Sequence, residues 1–170
     1  NGIIENHRAL REQLEASGVA FQSETDTEVI PHLLAAELQQ LQAAGATPGG
    51  GLLLEALQKV LPRLQGAYAL AVIWDQAPGA LVVARKAAPL LIGLGEGEFL
   101  CASDTPALAG FTRTILPMED GEVALLSPLG VELYDAAGAR HRWVNVAGPG
   151  VATRCATRCA TRCTTRCATR

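Results

Sequence analysis

The segment Ser23-Glu24-Thr25-Asp26-Thr27-Glu28-Val29-Ile30 predicts the start of a helix. Thr25 and Glu28 have the spacing of a capping box, in which each side chain accepts a hydrogen bond from a free backbone N–H. Asp26 then falls in the first turn, where the helix dipole favours a carboxylate. Apolar residues 19–21 predict a short strand just before the segment. An acid in a first turn most often serves only the helix, but a strand-to-helix junction is also a common place for a ligand-binding group.

Helical periodicity of the apolar residues predicts three helices in the first part of the chain. They begin at about His7, Asp26 and Leu52 and end before Gly18, at about Ala44 and at about Leu64. Pro31 lies past the first turn of the second predicted helix. It is therefore expected to remove one helical hydrogen bond and to bend the helix.

The apolar period changes from helical to extended at Ala67. The predicted strands cover residues 67–75, 80–87, 90–94, 98–103, 115–116, 122–126, 131–134 and 140–146. The glycines of residues 93–97 predict a hairpin turn, because their spacing and context do not fit a dinucleotide-binding loop. Residues 105–110 predict a short helical turn capped by Asp104 or Thr105. Helices followed by mostly antiparallel strands indicate an α+β layered domain.

The composition argues against several classes of partner. Residues 1–150 hold nine basic and seventeen acidic side chains, for a net charge of −8, so nucleic acid binding by this body is not expected. The longest apolar run, residues 67–74, is too short to span a bilayer. His7 and His32 lack partners at ligand spacing, so we expect neither a metal site nor a cofactor. The single body cysteine, Cys101, suits a reducing cytosol and predicts a cytoplasmic protein.

Residues 151–170 repeat Ala-Thr-Arg-Cys and carry a net charge of +5. The repeat has too little apolar bulk to form a core, and Thr disfavours a helix. We therefore expect two regions, a globular body at 1–150 and a disordered low-complexity tail at 151–170. The regular cysteine spacing leaves a metal-binding or redox role for the tail open.

Residues 1–7 (Asn-Gly-Ile-Ile-Glu-Asn-His), together with residues 23–30, resemble the glutaminase domain of class-II glutamine amidotransferases. The resemblance covers about residues 1–146. Within this class, residues 23–30 and 101–104 are most similar to the corresponding segments of the glutamine–fructose-6-phosphate aminotransferases. Further matching segments, in the family's order, are residues 64–70, 89–95 and 119–122.

This resemblance implies a four-layer αββα sandwich of the N-terminal-nucleophile hydrolase type, incomplete at its N-terminus. It also implies glutamine as substrate. Asn1 would match the side-chain donor of the oxyanion hole, and Gly2 would supply a backbone N–H and allow close approach of the substrate. Asp26 would bind the α-ammonium group of glutamine.

The resemblance further implies features that lie outside the chain. The nucleophilic cysteine and an Arg-Trp-Ala-Thr-His-Gly segment are expected upstream of Asn1, so the chain alone is expected to be inactive. Sugar-phosphate isomerase domains and a homodimer are expected of the full-length enzyme, which would convert fructose 6-phosphate and glutamine to glucosamine 6-phosphate and glutamate.

Cys101 lies within an apolar strand and is interpreted as structural.

Two alternatives stay open. One is another class-II amidotransferase, such as the amidophosphoribosyltransferase of purine synthesis. The other is a non-catalytic interaction domain, because the nucleophile is absent. An upstream reading frame that encodes the missing segment would favour an enzyme, and a start codon at Asn1 would favour the interaction domain.

Overall fold

Three helices precede most of the strands and pack on one face of a sheet. The computed structural model describes residues 2–144 and 152–155. Its helices are α1 (His7–Ala16), α2 (Val29–Ala43) and α3 (Gly50–Val60), with 3₁₀ turns at Asp26–Glu28 and Leu61–Arg63. Within the described ranges, no helix is long and apolar enough to cross a membrane.

The strands form two sheets. In chain order they are β1 (Gly2–Ile4), β2 (Gly66–Val72), β3 (Leu81–Lys86), β4 (Leu91–Leu94), β5 (Glu98–Ala102), β6 (Thr114–Pro117), β7 (Val123–Ser127), β8 (Gly130–Tyr134), β9 (Arg140–Val144) and β10 (Ala152–Cys155). The first sheet has the order β1-β2-β3-β7-β8-β9, and its neighbouring strands are antiparallel. The second has the order β10-β5-β4-β6.

Alternation along β3 explains why the first sheet is covered on both faces. Val82 and Ala84 belong to the core formed with the helices, whereas Leu81 and Val83 belong to the core between the sheets. Successive side chains of a strand point to opposite faces, so one apolar strand contributes to two cores. Phe99 of β5, which is fully buried, belongs to the same core between the sheets.

The outer face of the second sheet is covered by the segment after β5. Leu108 is fully buried there against Leu100. Gly93 makes room for this packing, because a β-carbon at this position would lie 2.9 Å from the Thr112 methyl group. The predicted helical turn at 105–110 is a series of hydrogen-bonded turns, and Asp104 accepts a hydrogen bond from the Ala107 N–H, at 3.1 Å.

The predicted α+β fold with two stacked sheets is confirmed, as is the hairpin at residues 93–97. In the part of the chain that the structure describes, one helix layer, two sheets and the outer turn segment make up the layers. All eight strands predicted between residues 67 and 146 are present, with shifted ends.

Two local predictions were wrong. Residues 19–21 have no regular secondary structure, since Val19 and Phe21 pack against the helical core without pairing to a strand. The α-helical part of the second helix begins at Val29, because residues 26–28 form a 3₁₀ turn. Pro31 is consequently the third residue of α2, which follows directly on the 3₁₀ turn. The expected loss of one helical hydrogen bond and the bend at Pro31 stay a prediction.

The tail also differs from its prediction within residues 152–155. These residues form β10, which pairs in parallel with β5. An apolar core is not needed for such backbone pairing at a sheet edge. The rest of the repeat, residues 156–170, lies outside the described residues.

Candidate functional site

The short strand β1 approaches β2 unusually closely at two glycines. Gly2 is the register partner of Tyr68, and Gly66 is the register partner of Ile4. A β-carbon on Gly2 would lie 2.0 Å from the Ala67 carbonyl oxygen, and one on Gly66 would lie 2.2 Å from the Ile3 carbonyl oxygen. Both glycines have positive φ, +126° and +112° respectively, which other residues rarely adopt. Both positions therefore require glycine for the strand pairing itself.

Asp26 reaches this same strand from the 3₁₀ turn before α2. Its Oδ2 atom accepts a hydrogen bond of 2.7 Å from the backbone N–H of Ile4. Ile4 is only 1% exposed and lies two residues, or about 7 Å, along β1 from Gly2. The structure thus brings Gly2 and Asp26 to one end of the first sheet. Asn1, the third predicted site residue, lies outside the described residues.

Hydrogen bonds also hold the carbonyl group of Ile4 and the residues that follow it. His7 donates from Nδ1 to the carbonyl oxygen of Ile4, at 2.8 Å, because a carbonyl can only accept. Asn6 donates from Nδ2 to the Arg63 carbonyl and accepts from the Gln65 N–H, at 2.8 and 3.0 Å. The Asn6 side chain thus forms no cap on α1. It ties the end of β1 to the segment that leads into β2.

The predicted capping box does not form, because Glu28 binds residues further upstream. Thr25 makes no side-chain cap hydrogen bond. The Glu28 carboxylate instead accepts hydrogen bonds from the backbone N–H groups of Gln22, at 2.7 Å, and Ser23, at 2.8 Å. It also accepts one from the Ser23 hydroxyl. Glu28 therefore organises the loop that precedes Asp26.

These contacts stabilise the ionised form of Glu28. Desolvation by itself would raise its pKa, but the hydrogen bonds from Gln22 and Ser23 outweigh it. His32, whose Nε2 lies 3.5 Å from Glu28 Oε1, acts in the same direction. The result is a pKa lowered from 4.5 to about 2. Glu28 is consequently a carboxylate at neutral pH.

Arg11 of α1 holds the same loop from the other side. Its Nη1 atom donates to the Ser23 carbonyl at 2.9 Å, and its guanidinium lies 4.4 Å from the centre of the Phe21 ring. Phe21 in turn contacts His32, with ring centres 4.8 Å apart. Cation–π and aromatic contacts of this kind fix the orientation of the groups involved.

The described residues include no group of three or more metal-binding side chains. Cys101 is 1% exposed and belongs to the core between the two sheets. This burial agrees with a structural role, because a nucleophile must reach its substrate.

Sequence reasoning did not identify the contributions of Asn6, Arg11 and Glu28 to this site. Glu28 was assigned to a helix cap, and Asn6, directly before the first predicted helix, is of a residue type that favours a cap. Their actual partners lie in irregular segments, at residues 63–65 and 22–23. No periodic pattern marks such contacts, so the local sequence offered only the capping interpretation.

The family model described as a glutamine amidotransferase domain matches residues 1–110. A protein of Nostoc sp. named glutamine–fructose-6-phosphate aminotransferase [isomerizing] is 54% identical over 140 residues, which are 82% of this chain and 22% of that protein. A protein of the same name from Thermosynechococcus vestitus is 56% identical over 142 residues, which are 84% of this chain and 22% of that protein. The chain thus spans about a fifth of the length of these curated relatives.

A solved structure shows the same fold. It is the glutamine phosphoribosylpyrophosphate amidotransferase of B. subtilis in complex with ADP and GMP, with a TM-score of 0.64 and 28% identity. The match covers 84% of this chain and 29% of that one. The likeness confirms the predicted α+β sandwich of the N-terminal-nucleophile type. By its match to the family model over most of its length, this chain belongs to the glutamine amidotransferase domain family.

Proposed function

We propose that this chain is part of the glutamine-hydrolysing region of a glutamine–fructose-6-phosphate aminotransferase. Such an enzyme transfers the amide nitrogen of glutamine to fructose 6-phosphate and forms glucosamine 6-phosphate and glutamate. The observation that carries the proposal is 56% identity over 142 residues to a relative of that name. The phosphoribosylpyrophosphate amidotransferase supports the fold. Its 28% identity gives weaker support for phosphoribosylpyrophosphate as the acceptor than the 56% identity gives for fructose 6-phosphate.

In this proposal Asp26 binds the α-ammonium group of glutamine. One carboxylate oxygen, Oδ2, is occupied by the Ile4 N–H. Oδ1 has no partner within residues 2–144, which leaves it for a charged donor. An ammonium–carboxylate hydrogen bond is among the stronger polar contacts in proteins. The Ile4 contact fixes the carboxylate before substrate binds, and this reduces the entropic cost of recognition.

The first two residues are proposed to stabilise the oxyanion. The Asn1 carboxamide and the Gly2 backbone N–H are neutral donors suited to the negative charge that develops on the amide oxygen during attack. The nucleophile is proposed to be a cysteine upstream of Asn1, since Cys101 is buried in the core between the sheets. The family resemblance supplies these roles, and the position of Gly2 on β1 near Asp26 is compatible with them.

The remaining parts of the enzyme are also proposals. Sugar-phosphate isomerase domains and a homodimer are proposed for the full-length protein, in keeping with relatives several times longer than this chain. The cytoplasm is the proposed location, because a lone body cysteine suits reducing conditions. Residues 151–170 are proposed to follow the glutamine-hydrolysing domain in sequence, although residues 152–155 add a strand to its second sheet.

The proposal is tested in an exchange enzyme, defined as the Thermosynechococcus relative with its matched segment replaced by that of this chain. We expect it to release glutamate from glutamine and to form glucosamine 6-phosphate from fructose 6-phosphate. The unmodified relative serves as the control for expression and activity. A folded exchange enzyme that aminates fructose 6-phosphate with free ammonia but cannot use glutamine would contradict the proposal.

A further inference from the structure

The loop before Asp26 lacks regular secondary structure, yet one of its residues is held at every polar atom. Ser23 donates its N–H to Glu28 Oε2 at 2.8 Å, and its hydroxyl donates to the same carboxylate. Its carbonyl oxygen accepts from Arg11 Nη1 at 2.9 Å. An anion and a cation from different elements thus hold opposite ends of one residue. A loop fixed in this way loses little entropy when a ligand binds beside it.

Glu28 is the group on which these contacts converge. Its side chain is 15% exposed and accepts a third hydrogen bond, of 2.7 Å, from the Gln22 N–H. It belongs to the same 3₁₀ turn as Asp26, two residues further along. Because both residues belong to one short turn, a shift of the whole turn away from Ser23 would also move Asp26 relative to Ile4. The Glu28 contacts with Ser23 and the Asp26–Ile4 hydrogen bond therefore hold the same turn.

We propose that Glu28 is a positioning residue for recognition of the α-amino group of the substrate. Its carboxylate fixes residues 22–25 so that Asp26 stays at the end of β1, where it binds the ammonium. The inference rests on the proposed function, because it assumes that Asp26 contacts the substrate. Glu28 itself does not contact the substrate and takes no part in the chemical step.

The role requires a carboxylate, because the neighbouring groups are donors. In Glu28→Gln one acceptor oxygen becomes an NH₂ group, which cannot accept from the N–H groups of Gln22 and Ser23. The size and shape of the side chain hardly change. Glu24→Gln is a matched control, since Glu24 is exposed in the same loop and has no partner in the described part of the chain.

The structural half of the inference is tested on the chain by amide hydrogen exchange. Glu28→Gln should speed exchange of the Ile4 amide about tenfold, the effect of weakening one charge-assisted hydrogen bond. Amides of β3 and β7 should be unchanged, as should the Ile4 amide in Glu24→Gln. If the Ile4 amide exchanges at the parent rate in Glu28→Gln, Glu28 does not position Asp26 and the inference is overturned.

The functional half is tested in the exchange enzyme with glutamine and with its analogue lacking the α-amino group, 4-carbamoylbutanoate. Glu28→Gln should raise KM for glutamine about tenfold and change kcat little, because the lost interaction concerns binding. The kinetics with 4-carbamoylbutanoate should not change. A general loss of folded protein would instead lower turnover of both substrates equally.

Asp26→Ala separates failure of this inference from failure of the proposed function. If Asp26→Ala abolishes the preference for glutamine over the analogue and Glu28→Gln keeps it, only the positioning role is overturned. If neither variant changes the preference, Asp26 does not bind the ammonium and the inference falls with that assignment. In the double variant, Glu28→Gln should add nothing to Asp26→Ala, since both act through one contact.

Discussion

The Asp26 carboxylate accepts the backbone N–H of Ile4 at 2.7 Å, which joins the turn before α2 to the edge strand β1. Ile4 is almost completely buried, so this hydrogen bond also contributes to the fold. The same side chain is proposed to bind substrate. Its structural and functional contributions must therefore be separated by experiment.

Two substitutions at Asp26 separate them. Asp26→Asn keeps an oxygen that can accept from Ile4 but removes the charge, whereas Asp26→Ala removes both. In the exchange enzyme, both should raise KM for glutamine about ten- to a hundredfold, as expected for loss of a contact worth about 1.5–3 kcal/mol. Only Asp26→Ala should lower the unfolding free energy, by about 1 kcal/mol. Unchanged KM in Asp26→Asn would show that the charge is not used for binding.

Gly2→Ala should destabilise the chain through steric overlap at the β1–β2 pairing. The added methyl carbon would lie 2.0 Å from the Ala67 carbonyl oxygen, so β1 must move away from β2. Gly45→Ala is the control, because Gly45 also has positive φ, +93°, but open space around the added carbon. In urea unfolding, the control should cost about 1–2 kcal/mol and Gly2→Ala about 3 kcal/mol. Equal costs would mean that φ alone, and not the close approach, requires glycine.

Glu28 predicts a specific dependence of stability on pH. The pKa of Glu28 in the folded chain is lowered from 4.5 to about 2, so ionisation of Glu28 stabilises the folded form. This contribution is fully present above the unfolded-state pKa and is lost as the pH falls through the folded-state pKa. The difference in urea midpoint between the parent and Glu28→Gln should therefore be largest near neutral pH and shrink between about pH 4.5 and 2. A constant difference across this range would contradict the assignment, and Glu24→Gln should show none.

Much of the architecture could be predicted from the sequence because it depends on periodic apolar patterns. The strands after Ala67 and the hairpin at residues 93–97 follow from alternation and glycine position. Predictions from local sequence patterns were wrong where a side chain could bind more than one partner. Thr25 and Glu28 have the spacing of a capping box, but Glu28 accepts hydrogen bonds from the N–H groups of residues 22 and 23 instead. Val19 and Phe21 are apolar because they pack on the helical core, and in the described residues this run pairs with no strand.

The proposed site residues came from the family resemblance. It indicated Gly2, which lies on β1, and Asp26, which contacts β1 through the Ile4 N–H. The supporting contacts of Arg11 and Asn6 depend on irregular segments whose positions follow from tertiary packing. The residues that neighbour Arg11 and Asn6 in the sequence do not indicate that packing.

Asn1→Ala tests the proposed oxyanion donor in the exchange enzyme. Negative charge forms on the substrate oxygen only during reaction, so this donor should act mainly on the transition state. We expect kcat to fall about 10²–10³-fold and KM for glutamine to move much less. A raised KM with kcat intact would instead make Asn1 a residue that binds the ground state.

The most direct test of the glutamine-recognition site is a crystal structure of the exchange enzyme with bound glutamate, the product of hydrolysis. We predict that the glutamate α-ammonium nitrogen lies within about 3 Å of the Asp26 carboxylate. We also predict that Asp26 Oδ2 keeps its hydrogen bond to the Ile4 N–H in the complex. Glutamate bound elsewhere, with Asp26 contacting only Ile4, would contradict the account.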